Sequence, residues 1–210
     1  MFPGYLARMS IAELDLLDWK RKVFALYADV RAASEPRAAW VEWRSAKDSM
    51  FANHPQSPIP ESERVSFRGL SYFDYEPSAR VHGTVLEAPR ETLTIATSGE
   101  HPYEFTRVAR VSFELRSTHC ELDLYWLENY GGGIFLPFRD STAGRETYGA
   151  GRYLLDTVKG ADLGTTEDGQ LALDFNFAFN PSCAYDARWV CPLAPPANRL
   201  DLEITAGERV

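Results

Sequence analysis

Residues 103–128, YEFTRVARVSFELRSTHCELDLYWLE, carry the pattern that decides the fold. Apolar and polar side chains alternate on both sides of the Arg-Ser-Thr-His step at residues 116–119. A period of two residues is typical of a strand with one buried face. This stretch therefore predicts three consecutive short strands, YEFTRVA (103–109), RVSFELR (110–116) and ELDLYWLE (121–128).

Stretches of the same kind lie on both sides of it, separated by Gly, Pro, Ser or Asp turns. They are SYFDYE (71–76), RVHGTVLEA (80–88), ETLTIAT (91–97), GIFLPFRD (133–140) and LALDFNFAF (171–179). About eight short strands without helical windows between them indicate an antiparallel sheet. We predict that this sheet curls into a barrel or packs as a sandwich, which makes the fold mainly β within the α+β class.

The first 53 residues have helical spacing instead. Ser10 followed by Glu13 fits a capping box, and Ser34 with Pro36 fits the start of a second helix. HPQSPIP (54–60) then reads as an extended linker. We predict two N-terminal helices in residues 1–53 that pack on an antiparallel β domain of residues 54–210, which ends in a proline-rich wrap.

The formal charge of −8 argues against nucleic-acid binding, because neutralising phosphates requires a basic face. The N-terminus lacks the pattern of a signal peptide, and no window is long and apolar enough to span a membrane. We therefore expect a cytoplasmic protein. Three alternatives remain open for Cys183 and Cys191: packed thiols, a redox pair or disulfide, and part of a zinc site.

The densest cluster of charged residues is GGGIFLPFRDSTAGRETYGAGRY (131–153). One interpretation is a pocket floor, in which Arg139, Arg152 and Tyr153 bind a ligand, Glu146 acts as a general base and Tyr148 donates a hydrogen bond. The other is a hairpin whose charges neutralise one another and the turn backbone.

Two further segments have alternative interpretations. Alternation along LALDFNFAF places Asp174 and Asn176 on one face, which either meets solvent or lines a cavity shared with the arginines. His54 follows a predicted helix, where imidazole caps free carbonyls, or else acts as an acid or base over the barrel mouth.

Several short motifs recur in the order typical of one known family. They are WR (43–44), HPQSP (54–58), FRGL (67–70), FRD (138–140), GRETYG (144–149), GRYL (151–154), DFN (174–176), NPSCAY (180–185), CPL (191–193) and NRL (198–200). With these motifs, roughly residues 40–207 resemble the bacterial and archaeal family known as domain of unknown function 1684. The resemblance implies a shared fold and supplies no activity.

Two functional hypotheses follow from the residues. The first is a protein with a pocket for a small anionic or carbonyl-bearing metabolite, without a cofactor or metal, which uses acid–base chemistry through Glu146, His54 or Tyr148. The second is a non-catalytic binding or structural module whose charged hairpin is architectural. In either case the N-terminal helices are candidates for pairing two subunits.

Overall fold

The structure is a computed structural model that describes residues 11–128 and 131–210. Two helices open it, α1 (Ala12–Ala32) and α2 (Pro36–Asn53), as the 3.6-residue pattern predicts. A single-turn helix, α3 (Glu61–Arg64), follows the proline-rich linker. Ser10, the predicted cap, lies outside the described residues. Within the described chain, no helix has the length and apolar character needed to cross a membrane.

The body is an antiparallel sheet nearly closed into a barrel, which confirms the predicted fold class. Its strands in the described residues run in the order β5-β4-β3-β2-β1-β6. They are β1 (Arg80–Ile95), β2 (Tyr103–Leu115), β3 (Thr118–Leu127), β4 (Ile134–Phe138), β5 (Arg152–Asp156) and β6 (Leu171–Asp174). Bridges Tyr153–Phe179 and Thr165–Leu171 connect the edge at β5 toward the edge at β6.

The strand boundaries differ from the sequence pattern in two respects. β1 and β2 each join two predicted strands, and the register of β1 shifts between Glu87 and Glu91, around Pro89. Proline has no N–H to donate to a ladder, so a bulge accommodates it. The segment SYFDYE forms no strand and contributes a single bridge from Tyr72.

The prediction that alternation continues through LALDFNFAF is wrong. β6 ends at Asp174, whose carboxylate accepts hydrogen bonds from the backbone N and side-chain Nδ2 of Asn176, at 3.0 and 2.8 Å. This local bond begins a 3-10 turn over Phe175–Phe177. An Asx side chain that bonds two residues ahead competes with the strand ladder.

One core joins the helices to the sheet. Tyr27 of α1 and Trp40 and Trp43 of α2 are buried in the same cluster as the sheet residues Leu136 and Leu173. The Trp40 indole N–H also donates to a backbone carbonyl of the 3-10 turn, at 2.9 Å. Burying large apolar side chains stabilises a fold by about 1.5–3 kcal/mol each, so the helices pack as an integral layer.

The proline-rich C-terminal segment packs against β3 and the end of β4. Its Asn198 is buried and accepts from the Asp123 N–H, while its amide donates to the carbonyls of Asp123 and Pro137 at 3.0 and 2.7 Å. Further along, Glu208 is also buried and forms an ion pair with Lys47 of α2. The segment therefore links the sheet to the helices.

Candidate functional site

Helix α1 lies across the end of the sheet and leaves a hollow beneath it. Leu16, Trp19 and Lys20 line this hollow from the helix, at the i, i+3 and i+4 spacing that places side chains on one face. Trp19 is held in place by ring contacts with Phe51 and His54, whose centroids lie 5.8 and 5.2 Å away. Leu16, Trp19 and Lys20 of α1 thus cover one side of the hollow; we call them the roof residues.

We call this hollow the mouth cleft; its volume is about 400 Å³. Its walls are mainly apolar and come from β2, β3, β4 and the C-terminal wrap. Apart from the roof residues, its lining is Gln56, Pro58, Tyr103, Phe105, Leu127, Phe135, Asp156, Val158, Lys159, Ser182, Trp189, Val190, Cys191 and Pro192. A concave, aromatic-lined space with few polar groups is the usual form of a small-molecule site.

A smaller inner hollow of about 100 Å³ continues from the mouth cleft toward the core. Trp19, Pro58, Asp156, Lys159 and Ser182 line both spaces. Deeper in, the lining includes aromatic and aliphatic side chains of α1 and α2 together with Tyr153 and Phe179.

The charged group at the junction of the two spaces is an ion pair. The Lys159 ammonium lies 3.2 Å from the Asp156 carboxylate; the lysine is largely exposed, whereas the aspartate is buried. The Asp156 carboxylate raises the pKa of Lys159. Lys159 is therefore a cation at neutral pH, at the edge of an apolar space.

Gly160 allows this arrangement. It has a φ of +93°, which ends the 3-10 turn Thr157–Lys159, and a Cβ there would meet the Phe24 ring of α1 at 3.0 Å. Only a residue without a side chain combines the left-handed backbone with so close an approach. Glycine thus places Lys159 directly below α1.

A second lysine, Lys47, lies beside the inner hollow and is largely buried. Its ammonium bonds to Glu208 and lies 4.9–5.4 Å from the ring centroids of Trp43, Phe51 and Phe179. Glu208 also accepts hydrogen bonds from the Tyr185 hydroxyl and the Asn180 N–H, both at 2.7 Å. Burial lowers the pKa of Lys47. The carboxylate engages several donors, so this pair joins α2 to the C-terminal segment.

The charged segment predicted as a pocket floor is instead closed. Arg152 is 1 % exposed; its Nη2 donates to Asp140 at 3.2 Å and to the Ile204 carbonyl at 3.0 Å. Its Nη1 donates to the carbonyls of Ala206 and Glu208. Arg139, by contrast, is exposed, and its backbone pairs with residue 199 of the C-terminal wrap. The structure therefore does not bring the two arginines together in a pocket, in contrast to the pocket-floor interpretation.

The predicted acid–base residues do not converge either. The Glu146 carboxylate is partly exposed and lies 4.0 Å from the Arg209 guanidinium. His54 is the C-cap residue of α2, where its backbone N–H donates to the Met50 carbonyl. Its imidazole bonds outside this helix: Nδ1 accepts from the Gln56 N–H at 3.0 Å, and Nε2 lies 3.1 Å from Asp18 of α1. The Tyr148 hydroxyl lies 3.7 Å from the Cys183 sulfur.

Asp174 and Asn176 are both buried, and the Asn176 amide also bonds to the backbone of Glu76. Their local bonds form the 3-10 turn instead of a cavity wall. Tyr153 does line the inner hollow, and its hydroxyl donates to the Pro192 carbonyl. His54 lines a separate, open groove between α1 and α2.

Sequence reasoning identified Cys191 but missed the other residues that the structure brings to the mouth cleft. Asp156, Lys159 and Trp19 were not singled out, because each is unremarkable in its own segment. The only local signal is the spacing of carboxylate and ammonium in DTVKG (156–160), where a glycine ends a short turn. For the zinc alternative, the described residues contain no group of three or more His, Cys, Asp or Glu side chains arranged to hold a metal ion.

Comparison with known proteins places the chain by sequence and by structure. The family model described as "Protein of unknown function (DUF1684)" matches residues 65–209. The chain is also similar to an uncharacterized protein from gene locus rrnAC0354 of Haloarcula marismortui, known from a solution NMR structure. The two are 38% identical over 82% of this chain and 93% of that one, with a TM-score of 0.61. No curated protein matches significantly. The chain therefore belongs to the DUF1684 family.

Proposed function

We propose that this protein binds a small molecule in the mouth cleft, and that the ligand has an aromatic or apolar body with one anionic or carbonyl group. The observation that carries the proposal is the mouth cleft itself, an aromatic-lined space of about 400 Å³ with the Lys159 ammonium at its edge. This volume lies within the range of about 300–1,000 Å³ typical of small-molecule sites.

The distribution of charge supports this ligand class. The lysines that line the mouth cleft are Lys20 and Lys159, and its carboxylate, Asp156, is already paired. An anionic group at the cleft edge would share the Lys159 ammonium with Asp156, while the ligand body covers Tyr103, Phe105 and Phe135. Apolar contact would supply most of the affinity, and the cation would fix the orientation.

In this function the mouth cleft binds its ligand without catalysing a reaction of it. Glu146, His54 and Tyr148 lie in three separate places, so these predicted acid–base residues do not converge on one ligand position. General acid–base catalysis requires both groups within hydrogen-bond reach of the reacting atoms.

Two fluorescent probes that differ in charge test the proposal: 8-anilinonaphthalene-1-sulfonate and its neutral analogue N-phenyl-1-naphthylamine. We expect saturable one-site binding of both, with tighter binding of the sulfonate. Lys159→Met should weaken sulfonate binding about two- to fivefold, the range for a solvent-exposed ion pair, and leave the neutral probe unaffected.

A second experiment tests whether the probes bind in the mouth cleft, by filling part of the cleft with a larger side chain. Val190→Trp adds bulk at the exposed rim of the mouth cleft, and Val65→Trp makes the same change at an exposed position outside its lining. We expect the first variant to abolish binding and the second to preserve it. Equal binding by both variants, or no saturable binding by the wild type, would refute the proposal.

A second candidate function is self-association through α1, and one observation favours it. Leu14, Leu17 and Phe24 are each about half exposed on this helix. The first turn of α1 is acidic and its middle, residues 20–22, is basic. An antiparallel pair of α1 helices from two copies would match opposite charges around a shared apolar stripe.

Sedimentation velocity tests this second candidate. A dimer should form in the wild type and dissociate in Leu17→Glu, while Val65→Glu should leave it intact. A wild-type protein that remains monomeric at high micromolar concentration would refute self-association.

A further inference from the structure

Two thiols lie together beside the mouth cleft. Cys183 sits in the 3-10 turn Ser182–Ala184, directly after a residue that lines both hollows, and Cys191 is itself part of the cleft lining. Both thiols are free, and they lie close enough that each affects the pKa of the other. Cys183 is partly exposed, whereas Cys191 is buried.

Independent backbone contacts hold each thiol in place. Cys191 pairs with the β1–β2 connection: its N–H donates to the Ser98 hydroxyl, and its carbonyl accepts from the Ser98 N–H, both at 3.0 Å. Cys183 lies in a turn closed by the Tyr185 N–H, which donates to the Ser182 carbonyl at 3.1 Å. The two sulfurs are therefore brought together by separate segments of the C-terminal wrap.

Two groups beside the Cys183 sulfur can donate a hydrogen bond to it, the Cys191 thiol and the Tyr148 hydroxyl. The Cys191 thiol and the Tyr148 hydroxyl lower the pKa of Cys183 to about 6. Burial raises the pKa of Tyr148, so its hydroxyl, 3.7 Å from the sulfur, keeps its proton and donates it. The hydrogen bond to Cys183 likewise raises the pKa of Cys191, which remains a thiol. One sulfur is thus a nucleophile and its neighbour a proton donor.

We propose that Cys183 is a reactive thiolate that reduces hydroperoxides and then forms a disulfide with Cys191. This inference rests on the cluster of two thiols with Tyr148, and it is independent of the ligand proposed for the mouth cleft. The third cysteine, Cys120, lies in β3 and is buried.

The reaction proceeds in two balanced steps. The Cys183 thiolate attacks one hydroperoxide oxygen, so that an S–O bond forms, the O–O bond breaks and an alcohol (or water) leaves after taking up a proton. The Cys191 sulfur then attacks the sulfenic acid: an S–S bond forms, the S–O bond breaks, and the hydroxyl leaves as water with the Cys191 proton. In sum, two thiols lose two hydrogens and the hydroperoxide gains two electrons.

The first test measures thiolate reactivity in the folded protein. The rate of iodoacetamide alkylation is followed at each cysteine by mass spectrometry as a function of pH. Cys183 should show a midpoint close to pH 6, in contrast to about 8.5 for a free thiol. At pH 6 about half of Cys183 is thiolate against less than about 1% of a free thiol. Since nucleophilicity falls with pKa, the expected rate advantage is about tenfold.

Two variants test whether Cys191 and Tyr148 lower the pKa of Cys183. Cys191→Ala and Tyr148→Phe each remove one donor, so each should move the alkylation midpoint of Cys183 upward. Burial raises the pKa of Cys120, which should remain unreactive in the folded state and serves as the internal control. A wild-type midpoint above pH 8 would overturn the proposal, and that measurement requires no variant to fold.

The second test follows the product. Reduced protein is treated with hydrogen peroxide and digested with trypsin without reduction. Trypsin cleaves after Arg188, between the two cysteines, so a disulfide appears as a cross-linked peptide pair. We expect the Cys183–Cys191 link in the wild type and in Cys120→Ser. In Cys191→Ala, Cys183 should proceed to sulfinic acid instead. Oxidation without this link in the wild type would refute the role of Cys191.

Discussion

Arg152→Met tests whether the charged segment at residues 139–152 is architectural. The guanidinium of Arg152 has no access to solvent and donates to the Asp140 carboxylate and to the carbonyls of three residues of the C-terminal segment, Ile204, Ala206 and Glu208. Its carbon also lies 5.1 Å from the Phe138 ring centroid. Methionine retains much of the apolar stem and removes every donor.

The expected loss in the free energy of unfolding follows from the buried acceptors that Arg152→Met leaves without a donor. Asp140 would keep its bonds from the Thr142 hydroxyl and the Ile204 N–H, both at 2.8 Å, but would lose its buried cation. Removing one partner of a buried ion pair costs about 3–5 kcal/mol. The three carbonyls contribute to the same loss, since a buried acceptor without a donor costs about 1–3 kcal/mol unless water reaches it. We expect the free energy of unfolding to fall by about 4 kcal/mol.

Urea denaturation followed by tryptophan fluorescence measures this loss. With a slope of about 2.5 kcal/mol per molar, the midpoint should fall by about 1.5 M. Arg145→Met is the matched control, because Arg145 lies in the same loop and pairs with Glu203 at the exposed surface. It should leave the midpoint unchanged, as should Glu146→Gln.

Arg152→Lys provides a second measurement in case the methionine variant does not fold. Lysine keeps the positive charge beside Asp140, but the three N–H donors of an ammonium cannot serve that carboxylate and three carbonyls together. Its midpoint should therefore lie between those of wild type and Arg152→Met. A midpoint for Arg152→Met within error of the Arg145→Met control would refute the architectural interpretation.

Three other predictions concern the C-terminal segment and its contacts. Gly207→Ala and Gly169→Ala share a positive φ near +80°, but only at Gly207 would the new Cβ meet a neighbouring carbonyl, at 2.6 Å. Gly207→Ala should therefore be the more destabilising by about 1–3 kcal/mol in thermal unfolding. Asn198→Ala should cost about 3 kcal/mol and speed hydrogen exchange at Asp123, whose N–H it leaves unpaired. Lys47→Met leaves the buried Glu208 carboxylate without its cation and should cost about 3–5 kcal/mol, measured by urea denaturation.

The sequence pattern predicted the class of fold well because that class depends on periodicity. Two-residue alternation over residues 103–128 became β2 and β3, and 3.6-residue spacing became α1 and α2. The pattern failed where a local side-chain bond or a bulge competed with the ladder. Asp174 ended β6 early, and a bulge around Pro89 let one long strand replace two.

The predicted site residues were chosen for the chemistry of their side chains. That chemistry does not reveal which hydrogen-bond partners a side chain has in the folded protein. Arg152 looked like an anion clamp in the sequence, but carbonyls more than fifty residues away occupy its donors. No sequence pattern marks Lys159 as a site residue. It lines the mouth cleft because the fold places α1 over the turn that carries it. Hydrogen-bond saturation and cavity lining are both long-range properties, so neither can be deduced from local spacing.

The sequence by itself determined the helical start, the antiparallel β body and the family, because apolar periodicity and short motifs are local properties of the chain. Only the tertiary structure decided which charged groups are sealed in the interior and which border open space. It also brought the Cys183 and Cys191 thiols together with Tyr148, from segments that share no sequence pattern. The physical reason is that burial and partnership depend on how distant segments pack.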